Sequence, residues 1–75
     1  MVERFLRYSL ERENKICVVF LQDGIVKKTN LRVTSIDADG AGFDALLPGR
    51  KRAVHVAMDE VLTATYARGD KGELE

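Results

Sequence analysis

The chain has 75 residues, with 12 basic and 12 acidic side chains, a single histidine and a single cysteine. That length holds one domain near the lower limit for a self-sufficient core, and zero net charge excludes a strongly basic nucleic-acid arm or an acidic tail. Cys17 has no partner for an intrachain disulfide, and one His with one Cys cannot complete a zinc site within a chain, so no metal and no cofactor are expected.

Residues 2–12 have the spacing of an amphipathic helix. Val2, Phe5, Leu6 and Leu10 form one apolar stripe. Glu3 with Arg7, and Arg7 with Glu11, are i,i+4 charge pairs on the opposite side. Asn14 tolerates a left-handed backbone and is the expected helix exit. The run Ile16–Leu21 is apolar without a break and rich in β-branched residues, so a strand is expected from about Lys15 to Gln22. Alternation puts Ile16, Val18 and Phe20 on one face and Cys17, Val19 and Leu21 on the other. Both faces are apolar, which predicts a strand covered on both sides. Either Val18 and Phe20 or Val19 and Leu21 then form the centre of the fold.

Asp23-Gly24 predicts a tight hairpin turn, because both residues accept positive φ. The second strand covers about Ile25 to Ile36. Leu31 and Val33 share a face, Ile36 breaks their parity, and a bulge near Thr34-Ser35 restores it to the core. Asp37, Asp39 and Gly40 belong to the next turn. Their spacing, even with Asp44 nearby, lacks the closing glutamate of a calcium loop. Phe43, Ala45 and Leu47 alternate in a third strand. Pro48-Gly49 then suits the corners of a turn whose tip is Arg50-Lys51-Arg52. Val54, Val56 and Met58 alternate with His55 and Ala57 in a fourth strand. Asp59-Glu60 is a short turn or one 3₁₀ step, and Val61 to Ala67 is the last strand. Residues 69–75 are polar and glycine-bearing, which predicts a flexible tail behind a single domain over 1–68.

One helix followed by five short antiparallel strands predicts a mainly β fold, a small SH3-type or Sm-type barrel. The stretch from Leu10 to Ala64 resembles the Sm-like superfamily, and most of all its bacterial host-factor RNA-chaperone branch (the Hfq family). The residues that carry the resemblance are Val18-Val19-Phe20-Leu21-Gln22-Asp23-Gly24-Ile25, then Val54 to Met58, Asp59-Glu60 and Val61 to Ala64. A weaker resemblance is to WYL-type domains, small barrels that act as ligand or nucleic-acid sensors in bacterial regulators. The Sm-like resemblance implies a homo-oligomer whose fourth and fifth strands pair across subunits, which would place Val54, Val56 and Val61 at the junction. The Tyr-Lys-His run of the RNA-chaperone branch is replaced here by Val54-His55-Val56-Ala57. That branch's base-contacting role therefore does not carry over.

Among the functional candidates, Arg50, Lys51 and Arg52 are the densest positive group, suited to touching phosphates. Lys27 and Lys28 extend that surface or protect an edge strand. No aromatic residue interleaves either cluster, so no base-stacking platform is visible. His55 falls on the polar parity of its strand and reads as an exposed spacer, with Tyr8 and Tyr66 covering the core. Ser9 and Ser35 have no histidine at catalytic spacing, and no enzyme is expected. The sequence predicts a non-catalytic binding module with RNA or single-stranded nucleic acid as ligand. The alternative is a protein-interaction or ligand-sensor domain that binds no nucleic acid. No apolar run is long enough to cross a bilayer and no signal-peptide core is present, so a cytoplasmic location is expected.

Overall fold

The computed structural model of the protein describes residues 2–69. Helix α1 spans Val2–Arg12, followed by β1 (Ile16–Gln22), β2 (Ile25–Ile36), β3 (Gly42–Leu46), β4 (Val54–Ala57), a 3₁₀ turn (Met58–Glu60) and β5 (Val61–Tyr66). All strand pairs are antiparallel, in one five-stranded sheet ordered β4-β3-β2-β1-β5. The first and last strands of that order are joined only through the 3₁₀ turn. The sheet curls without a ladder between β4 and β5, so both strands keep a free edge among the described residues. The tail expected over 69–75 lies outside the described residues from 70 onward.

The sheet's shape follows from its irregularities. Asp23 and Gly24 have φ of 53° and 77° and close the β1–β2 hairpin in two residues, with Gln22 opposite Ile25. Positive φ at both corners matches the right-handed twist of the strands. Long β2 serves two neighbours: residues 25–31 pair with β1, and residues 32–36 pair with β3. The register shift between Val33 and Ser35 leaves Thr34 extra, and beyond this bulge Ile36 packs against the core. A second shift leaves Leu62 extra on β5, where it is exposed. Bulges add twist and bend. The β3–β4 connection starts with Arg50 N–H donating to the Leu47 carbonyl at 3.1 Å, with Gly49 at φ 76°. A proline and then a positive-φ glycine at its corners make this a type II turn.

The core is Leu6, Ile16, Val18, Phe20, Leu31, Val33, Phe43, Ala45, Val56 and Ala64. Val18 and Phe20, not Val19 and Leu21, are therefore the central pair of β1. Leu6 belongs to the same cluster, so α1 covers the inner side of the curved sheet, packing on β2 and β5. Cover on both faces of β1 is not found: Cys17, Val19 and Leu21 stay half-buried, because the one helix is spent on the inner side.

Two helix expectations are corrected. The left-handed exit residue is Glu13, at φ 55°, one position before Asn14. That frees the Asn14 side chain to donate to Tyr8 Oη at 3.1 Å. Among the described residues Glu3, Arg7 and Glu11 form no ion pairs, since exposed flexible charges gain little by closing. Ser9 provides the stronger tie. Its fully buried hydroxyl donates to the Asn14 carbonyl at 2.6 Å and accepts the Val33 N–H at 2.9 Å. Val33 lies beyond the last β1–β2 pair, Ile16 with Leu31, and Ser9 supplies an acceptor there. Around this joint Tyr66 packs edge-on against Phe5 and Tyr8, with ring centroids 4.8 and 5.0 Å apart.

Candidate functional site

The features with functional chemistry gather around β4. On its N-terminal side, Arg50, Lys51 and Arg52 are exposed in the connection from β3. Among the described residues none of them makes an ion pair. Lys27 and Lys28 are exposed too, but as consecutive strand residues they point to opposite faces of β2. They pair with Phe20 and Val19 of β1, on the half of β2 that β3 does not reach. Lys27 and Lys28 thus lie on β2 beside β1, and Arg50 to Arg52 in the connection into β4.

On β4 itself, Val54 and Val56 face inward and His55 outward. His55 is more than a spacer. Its Nε2 lies 3.0 Å from Asp37 Oδ2, the one ion-pair contact among the described residues, with side chains 54% and 36% exposed. The ring reaches Asp37 by crossing Gly42, where a Cβ would sit 2.7 Å from His55 Cε1 and 2.7 Å from the Val56 carbonyl oxygen. Gly42 is the seat that lets the imidazole lie back over β3. Asp37 is presented by a tight turn in which Gly40 N–H donates to the Asp37 carbonyl and Asp37 N–H to the Gly42 carbonyl, both at 3.0 Å. Asp39 caps the same turn by accepting the Ala41 N–H at 2.9 Å. This is turn chemistry, as the spacing suggested.

Beside β4, a cleft of about 110 Å³ opens between it and the end of the β1–β2 hairpin. Phe20, Val54 and Val56 give it apolar walls, and Gln22, Asp23, His55 and Glu60 give it polar ones. Two of the residues expected at a subunit junction, Val54 and Val56, are therefore beside this opening. Val61 is half-buried at the start of β5, paired with Phe20. Among the described residues no group of three or more His, Cys, Asp or Glu side chains could hold a metal ion.

The Asp37–Gly42–His55 arrangement and the Ser9 joint escape a sequence reading for one reason. Each depends on register between strands or on where a strand stops, and neither leaves a local pattern. A glycine at a strand start, Gly42, was the only visible signal.

The chain matches no known protein family, no curated protein and no solved structure. Fold and site together define a class: a small, mainly β domain with an N-terminal helix, two free sheet edges and a basic turn beside one of them. No helix among the described residues is long and apolar enough to cross a membrane.

Proposed function

We propose that the protein is a non-catalytic, cytoplasmic binding module. It works as a homo-oligomer assembled through its sheet edges and binds RNA or single-stranded nucleic acid through Arg50, Lys51 and Arg52. The observation that carries this reading is the basic turn itself: adjacent cations, all exposed and without an ion-pair partner among the described residues. Such a group neutralises phosphates and releases counterions without reading sequence. The resemblance to Sm-like barrels supports the same ligand class, although fold likeness alone is a weak warrant for function. Lys27 and Lys28, exposed on β2, are secondary contacts.

The direct test is filter binding of single-stranded RNA and DNA at low salt. Retention of both, with little dependence on base composition, is the expected result, and no retention would overturn the reading. A second reading, a protein-interaction module, is favoured by one observation. The outer face of β1 presents half-buried Cys17, Val19 and Leu21, and cross-strand Val26 beside them is 59% exposed. An apolar stripe of that kind suits a protein partner. A protein that retains no nucleic acid would leave this second reading in place.

A further inference from the structure

The hydrogen-bonding direction of β4 can be worked out residue by residue. Met58 N–H donates to the Ala41 carbonyl at 2.8 Å, continuing the register in which Gly42 faces Ala57 and Phe43 faces Val56. In an antiparallel ladder, bonded and non-bonded pairs alternate. Val54, Val56 and Met58 therefore turn their main-chain groups toward β3, and His55 and Ala57 turn theirs to the free edge. The imidazole of His55 is held back over Gly42 by Asp37, which keeps that edge clear.

The flanks of β4 are oppositely charged. Arg50-Lys51-Arg52 precedes the strand, and Asp59-Glu60 follows it, all of them exposed. A strand flanked in this way is complementary to itself when two copies run antiparallel. We propose that the protein forms a two-fold symmetric dimer by pairing β4 with β4 of a second copy. His55 of each chain exchanges main-chain bonds with the partner's Ala57, and Arg52 lies opposite the partner's Glu60. Val56 then lies on the two-fold axis.

The charges favour this pairing over β4 with β5. Antiparallel pairing of β4 with a second chain's β5 would set Asp59-Glu60 against the same acids of the other chain. Like charges placed opposite one another are destabilising. The bulge at Leu62 further disturbs the β5 edge. The inference rests on the self-association proposed above and is separable from it by experiment.

Ala57 provides the decisive probe. Its φ of −74° already suits proline, and its N–H points to the free edge, so Ala57→Pro removes an intersubunit donor without breaking a bond within the chain. Light scattering of the wild-type chain across a concentration series at low salt should approach twice the 8.4 kDa chain mass. Ala57→Pro should keep its circular dichroism and scatter as a single chain. Arg52→Glu and Glu60→Arg should each weaken dimerisation about tenfold, and both changes in one chain should restore it, because each reversed residue again meets its opposite. A dimeric Ala57→Pro, or a double variant weaker than either single one, would overturn the β4–β4 pairing. A wild-type mass above two chains would overturn it too, in favour of a ring, while leaving self-association intact. A wild-type mass of one chain at every concentration would end both.

Discussion

A serine in the middle of a helix commonly bonds back to the carbonyl one turn earlier. Ser9 instead reaches forward to the Asn14 carbonyl and accepts the N–H of Val33, fastening the helix exit to the bent part of β2. Ser9→Ala leaves that buried N–H without an acceptor, a loss of about 1–3 kcal/mol. Urea denaturation should show a lower midpoint with an unchanged slope. A midpoint equal to wild type would mean that water or another group takes over. Gly42 is the second residue on which local geometry depends. Its Cβ would meet both the His55 ring and the Val56 carbonyl at 2.7 Å, so Gly42→Ala should destabilise by about 1–3 kcal/mol. Adding His55→Ala should recover only part of the loss, since the carbonyl is backbone and cannot step aside. Full recovery in the same denaturation assay would show that the ring alone sets the limit.

Among the elements, β1 organises the rest, pairing with β2 on one side and β5 on the other. Phe20 is 2% exposed and reaches from the core to the cleft beside β4. Phe20→Ala should cost about 3–5 kcal/mol, most of what a domain of this size possesses. A variant with an unchanged melting temperature would contradict the assignment of β1 as central. The element order was legible in the sequence because it rests on local chemistry. Asp23-Gly24 and Pro48-Gly49 adopt the turns their residue types favour, and the broken parity of Ile36 marked the bulge in β2. Cover on both faces of β1 was misjudged, because apolar alternation reports what a strand offers and says nothing of what reaches it. The one helix goes to the inner face through Leu6. The basic turn and the Lys27-Lys28 pair were both legible as runs of cations. How β2 divides its pairing between β1 and β3 was not, because that is a property of the whole sheet.

For the whole molecule, a balanced net charge hides a segregated one. Cations precede β4 and acids follow it, and the proposed assembly and ligand binding both draw on this polarity. Neutral chains associate more readily than charged ones, so a binding surface on such a protein has to be local. The proposed surface is the turn of Arg50, Lys51 and Arg52. The measurement that tests this most directly is the salt dependence of affinity for a single-stranded oligonucleotide. Wild type is compared with the combined Arg50→Ala, Lys51→Ala and Arg52→Ala variant. Each phosphate contact on a single strand contributes roughly −0.7 to the slope of log K against log salt. With Arg52 turned to the partner's Glu60 in the proposed dimer, losing the Arg50 and Lys51 contacts should flatten the slope by about 1.4 and weaken binding to all sequences alike. A variant that keeps both the affinity and the slope of wild type would contradict the account.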